Sequence, residues 1–199
     1  MAMIPAAAER FKGKKVTVIG LAREGLALTR FLAAHGALVT VSDAKTAAEL
    51  GPALQQLAGL AVRFSLGDNR EADVLDADMV FSSPGVPPNL APLLAARRSG
   101  IPVSSATSLF FQLCPGPIAG ITGSCGKSTT TTLLGRMLEV AGKKVLVGGN
   151  LGIPLLERLP DMDQDTWAVL ELSSFQLEFM EESPHMAVIT NLRPDHLDR

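Results

Sequence analysis

IAGITGSCGKSTT, residues 118–130, passes from an apolar, β-favouring run through a glycine-rich turn into the opening of a helix. Ile118–Thr122 reads as a strand and Gly123–Gly126 as a loop. Lys127–Ala141 reads as a helix whose inward stripe is Leu133, Leu134, Met137, Leu138 and Ala141, stopped by Gly142. In such a strand–loop–helix unit, backbone amides can approach an anion closely, and the helix N-terminus adds partial positive charge. A lysine there pairs with terminal phosphates. Lys127 fills that place, and the Ser128 hydroxyl falls where it can ligate Mg²⁺. The glycines at 120, 123 and 126 are a variant of the strict G-x-x-x-x-G-K-[ST] spacing, because Ile121 stands where its first glycine belongs. A mere glycine-rich turn with a solvated lysine is the plain alternative. It leaves unexplained why GKST opens a helix directly after an apolar strand.

Two later segments fit the same site. Glu171 follows the strand-like WAVL of residues 167–170, so its carboxylate should emerge at the C-terminal end of the sheet, where it can hold a metal. His196 lies beyond the strand Met186–Thr190, flanked by Asp195 and Asp198, and is read either as a second metal ligand or as a surface histidine. GGNLG, residues 148–152, follows the strand Lys144–Val147. It is a functional loop or a turn that needs positive φ.

Upstream, short β-rich runs alternate with helix-length segments, the pattern of βαβ units and parallel sheets. Strands are expected at Lys14–Gly20, Leu38–Ser42, Ala61–Leu66, Met79–Ser82 and Pro102–Ser104, and helices at Glu24–His35 and Asn89–Ser99. Trp167–Leu172 completes the downstream set. The turn from Gly20 to Gly25 resembles half of a dinucleotide fingerprint, with Ala22 in place of the middle glycine. Asp43 closes the second strand, where a ribose-binding acid often sits. A Rossmann-like frame for a nucleotide other than NAD fits this better than a nicotinamide oxidoreductase. Ser83-Pro84-Gly85 is a binding loop or a simple turn. CPGP, residues 114–117, resists helix and sheet alike, and places a domain boundary within residues 107–117.

Totals bound the rest. Among 199 residues, 47% are hydrophobic and 19% charged, enough for a real core. A formal charge of −2 supplies no general attraction to nucleic acid or anionic membrane. Two cysteines without a CxxC suit a reducing cytoplasm rather than a disulfide framework. No run of roughly 18 uncharged apolar residues exists to span a bilayer. The polar cluster at residues 195–199 falls just past a strand end, and a chain stopping there is expected to be truncated.

With these pieces in order, the chain resembles the Mur ligase family. The resemblance is carried by GITGSCGKSTT (120–130), GGNLG (148–152), ELSSFQLE (171–178) and NLRPDHLDR (191–199). ELSSFQLE points to the D-glutamate-adding branch. The resemblance implies a Rossmann-like UDP-substrate domain over residues 1–110. An incomplete, mostly parallel phosphate-loop ATPase-type domain follows over 111–199, and the third domain is absent. It implies ATP-dependent ligation of D-glutamate to UDP-N-acetylmuramoyl-L-alanine through an acyl phosphate, in cytoplasmic peptidoglycan precursor synthesis. ATP would lie on Gly120, Thr122, Gly123, Ser124, Cys125, Gly126, Lys127, Ser128 and Thr129. Magnesium would be held by Ser128, Glu171 and His196, with Lys127, Glu171 and His196 catalytic. Leu21, Ala22, Asp43, Ala44, Ser83, Pro84 and Gly85 would line the UDP pocket. Asn150, Ser173 and Gln176 would meet the muramoyl part of the substrate. Cys125 stands where the family usually has asparagine or lysine, and Ala44 lacks a hydroxyl often found there. The supporting lysine that becomes carbamylated would lie past Arg199, so the chain alone is expected to bind UDP-containing ligands, to bind ATP weakly at best, and not to turn over. The whole enzyme is expected to be monomeric, without nucleic-acid or membrane partners, whereas this chain could self-associate.

Overall fold

A computed structural model describes residues 6–194. Their contacts divide them into two compact α/β units, meeting in sequence between Ala106 and Thr107.

In the first unit, β1 (Lys15–Ile19), β2 (Leu38–Asp43), β3 (Val62–Leu66), β4 (Met79–Ser82) and β5 (Val103–Ser104) form an all-parallel sheet in the order β3-β2-β1-β4-β5. Val16, Val18 and Ile19 are buried, as expected of a central parallel strand covered on both faces. Helix α1 (Arg23–Ala34) packs Leu28 and Leu32, one turn apart, into this core. Burying each such leucine is worth about 1.5–3 kcal/mol. Three further helices, α2 (Gly51–Gln56), α3 (Ala72–Leu75) and α4 (Ala91–Arg98), complete the unit. The first two were not expected, because neither is long enough to display a helical repeat. The direction of strand order reverses between β1 and β4, so their C-terminal ends open a crevice.

The second unit begins with α5 (Ala106–Leu113), a helix crossing the stretch read as a boundary. Its apolar residues Leu109, Phe110 and Leu113 are buried. The CPGP stretch that follows is packed rather than slack. A Cβ on Gly116 would come within 2.2 Å of the Thr166 carbonyl oxygen. The strands are β6 (Ile118–Thr122), β7 (Lys144–Gly149), β8 (Thr166–Glu171) and β9 (Met186–Ile189), again all parallel, in the order β7-β8-β6-β9. Helix α6 (Lys127–Val140) follows β6, and α7 (Ser174–Leu177) follows β8.

Two expectations are corrected here. Strand β7 continues through Gly148 and Gly149, which had been assigned to a loop. The inward stripe of α6 is also different. Thr131 and Gly135 are buried, while Leu133 and Met137 are exposed, at 59% and 60%, and Ala141 lies on the surface. Leu134 and Leu138 are half-buried, as part of the expected stripe. The cause is close packing: a Cβ on Gly135 would lie 2.5 Å from the Val147 Cγ2 methyl, so the glycine side of the helix is the side laid on the sheet. Hydrophobicity alone pointed to the other face. The helix ends as expected, with Gly142 at φ 75° and Lys143 N–H returning to the Leu138 carbonyl, a Schellman closure.

Candidate functional site

The second unit gathers its polar groups where β6 and β8 end. Parallel pairing sets Ile121 opposite Glu171, and Glu171 opposite Gly149 on β7. Helix α6 starts immediately after the 123–126 loop, with Gly126 as its N-cap at φ 83°, a left-handed conformation that suits glycine. This brings Ser128 over the end of β8. Its Oγ donates to Glu171 Oε2 at 2.6 Å. Asn150 Nδ2 donates to Glu171 Oε1 at 2.9 Å, and its backbone N–H bonds the Glu171 carbonyl. The two glycines before Asn150 are explained by proximity as much as by conformation. A Cβ on Gly149 would sit 2.1 Å from the Glu171 carbonyl oxygen.

Glu171 is only 3% exposed, yet both side-chain donors are neutral. Among the described residues it forms no ion pair with lysine or arginine, Lys127 included. A buried carboxylate without a counter-charge is costly, so the pair Ser128–Glu171 has the donor chemistry to hold a hard cation. Lys127 has turned onto its own loop, with Nζ donating to the carbonyls of Gly123, at 2.7 Å, and Ser124, at 3.2 Å. Those carbonyl dipoles, which would repel an anion, are thereby tied down.

Thr122, Gly123, Ser124, Cys125, Gly126, Lys127, Ser128 and Thr129 all lie on the β6–α6 connection, with Gly120 inside β6. Ser173 and Gln176 stand nearby in sequence but have a local task. Gln176 is 1% exposed; its Oε1 accepts from Ser173 N–H, while Ser173 Oγ accepts from Gln176 N–H, a capping box for α7. Gln176 Nε2 also donates to Thr107 Oγ1. His196 lies outside the described residues.

The first unit carries a separate cleft of about 550 Å³ at the β1–β4 switch point. Leu21, Ala22, Asp43, Ala44, Ser83, Pro84 and Gly85 line it together. Asp43 closes its end, Oδ2 accepting from Leu21 N–H at 2.7 Å and Oδ1 from Lys45 N–H. Ser83 Oγ donates to the Gly20 carbonyl at 2.7 Å, tying the loop after β4 to the loop after β1. A Cβ on Gly25 would fall 1.9 Å from that same carbonyl oxygen, so the helix can start this close to the strand only with glycine. Lys45 and Asn69 also line the cleft and were missed from sequence. Lys45 follows Asp43 closely enough to have been found, whereas Asn69 arrives from the distant end of β3.

Comparison with known proteins matches the same two regions. Residues 14–105 match the family model "Mur ligase MurD-like, N-terminal domain", and residues 121–199 match "Mur ligase middle domain". A UDP-N-acetylmuramoylalanine--D-glutamate ligase of Roseiflexus sp. is 47% identical over 192 residues, covering 94% of this chain and 41% of that protein. One from Symbiobacterium thermophilum is 43% identical over 185 residues, covering 93% of this chain and 41% of its own length. The chain thus spans well under half the length of the curated relatives it matches. Among solved structures, UDP-N-acetylmuramate:L-alanyl-gamma-D-glutamyl-meso-diaminopimelate ligase from Neisseria meningitides superposes with a TM-score of 0.54 at 22% identity, covering 92% of this chain and 62% of that one. That likeness speaks to fold alone. Matched across both of its units, the chain belongs to the Mur ligase family, joining a MurD-like N-terminal domain to a Mur ligase middle domain.

Proposed function

We propose that the chain supplies the UDP-substrate and ATP sites of an ATP-dependent ligase that joins D-glutamate to UDP-N-acetylmuramoyl-L-alanine. The single observation that carries this reading is the Ser128–Glu171 contact at the mouth of a glycine-rich helix start. The similar proteins are D-glutamate ligases acting on UDP-N-acetylmuramoylalanine by name, and they suggest the substrates. In the proposed reaction the γ-phosphoryl group of ATP passes to the substrate carboxylate, releasing ADP. The D-glutamate amine then attacks the acyl carbon and expels phosphate.

The residues present act by positioning and charge. The Gly126 amide and those at the start of α6 would face the phosphates, since the Ser124 and Cys125 amides are held by Asn191, and Lys127 adds a cation at the same place. Ser128 and Glu171 would hold magnesium, which when bound neutralises charge on phosphate oxygens. Asn150 fixes the Glu171 carboxylate from the opposite side. His196 is proposed as ligand to a second metal. Asn150, Ser173 and Gln176 are proposed for the muramoyl part, with Gln176 acting through the turn it caps. In the first unit, Asp43 orders the Leu21 and Lys45 amides around the UDP cleft, and Ala44 offers backbone alone.

Calorimetric titration with UDP-N-acetylmuramoyl-L-alanine and, separately, NAD tests the substrate assignment. The muramoyl nucleotide is expected to bind at least tenfold more tightly, about 1.4 kcal/mol. Tighter NAD binding would hand the first unit to nicotinamide chemistry instead.

A further inference from the structure

The segment after β9 belongs to the NLRPDHLDR stretch, in which only His196 had a proposed task. Its first residues are laid along the 123–126 loop. Asn191 pairs its carboxamide with one peptide group pair: Cys125 N–H donates to Asn191 Oδ1 at 3.1 Å, and Asn191 Nδ2 donates to the Cys125 carbonyl at 2.8 Å. Thr190 Oγ1 donates to that same carbonyl at 2.6 Å. One residue earlier, Ser124 N–H donates to the Asn191 carbonyl. Ser124 Oγ donates to the Arg193 carbonyl and accepts from Arg193 N–H. At Gly123 there is no room for a side chain, since a Cβ would lie 2.2 Å from Thr190 Oγ1 and 2.8 Å from the Asn191 carbonyl oxygen.

We propose that Asn191 is a positioning residue that clasps the phosphate loop, holding the Cys125 peptide in the orientation nucleotide binding requires. The proposal rests on the phosphate-binding reading above. A loop of glycines and small residues has many conformations open to it, and an anion site needs one. Asparagine meets the Cys125 backbone as donor and acceptor at once, which aspartate and alanine cannot do. With its carbonyl held by two donors on the β9 side, the Cys125 peptide cannot turn that oxygen toward a phosphate. The anchor itself is firm, because Thr190 N–H bonds the Thr122 carbonyl where β9 pairs with β6. Cys125 is exposed, so the clasp orders a surface loop rather than filling a core.

Hydrogen exchange of the peptide spanning residues 122–128, together with calorimetric MgADP affinity and Tm, tests this in wild type, Asn191→Ala, Asn191→Asp and Thr190→Val. Asn191→Ala should speed exchange in the loop about tenfold and weaken MgADP by a similar factor, given the two hydrogen bonds lost. Asn191→Asp retains an acceptor for Cys125 N–H, so it should protect the loop better than alanine. It should nevertheless bind MgADP more weakly, because it sets a carboxylate beside the anion. Thr190→Val should shift both readouts in the alanine direction, but less. Wild-type exchange and affinity in Asn191→Ala, or losses that merely track a lower Tm, would overturn the clasp alone. A wild-type chain that takes up no MgADP would overturn the phosphate-site reading beneath it.

Discussion

Glu171 shows how one residue can be constrained from three directions. Its place at the end of β8 comes from strand pairing, its burial from the surrounding sheet, and its carboxylate geometry from Ser128 and Asn150. Asn150→Ala leaves Oε1 of a buried carboxylate without its donor, so urea denaturation should show a loss of about 1–3 kcal/mol. A different residue reports on pH. The Asp163 carboxyl is lowered from 3.8 to about 2, first by the hydrogen bond from Lys144 and then by that from Thr166. Because its folded pKa lies below its unfolded value, Asp163 stabilises the fold above about pH 4. That contribution fades as pH falls through about 2. Asp163→Asn should therefore lower Tm at neutral pH and converge with wild type near pH 2, as followed by circular dichroism. Lys127, Ser128 and Glu171 were legible in sequence because each follows directly on a recognisable strand or glycine turn. The buried bond from Gln176 to Thr107 was not, since it depends on α5, a helix that sequence had not marked.

Helix α6 is the element where residue pattern and packing diverge. Leu133, Met137 and Val140 form an apolar stripe, yet they face outward, with Val140 86% exposed. The sheet side is taken by Thr131 and Gly135 because a small residue lets the helix sit close to Val147. Gly135→Leu should destabilise the unit by about 1–3 kcal/mol through overpacking, despite leucine's better helix propensity. Met137→Lys should change stability by no more than about 0.5 kcal/mol, as exposed positions do. Thermal or urea unfolding of the two variants checks this, and a reversed order would mean that the helix is rotated. Strand positions were more readable. β-Branched runs bounded by glycine and proline gave both sheets to within a residue or two at most ends. The short helices α2, α3 and α7 span too few residues to announce a period.

At the scale of the molecule, two parallel sheets each bring their candidate ligand groups to the C-terminal ends of their strands. Lys127 is proposed for the phosphates alone, so its loss should separate the two ligands. Lys127→Ala should weaken ATP at least tenfold while leaving affinity for UDP-N-acetylmuramoyl-L-alanine within a few-fold, by calorimetry of both ligands. Equal loss of both would contradict the division of labour. No described helix is long and apolar enough to cross a membrane. Apolar side chains stand exposed on α6 and on β9, where Ile189 is 61% exposed.

The pairing of Ser128 with Glu171 as a cation site is tested most directly by titrating ATP into the chain with and without Mg²⁺, in wild type and in Glu171→Gln. Magnesium should tighten ATP by about tenfold or more in wild type, and that gain should disappear in the glutamine variant, which keeps the shape but not the charge. Equal affinity with and without the metal in wild type, or an undiminished magnesium effect in Glu171→Gln, would contradict it.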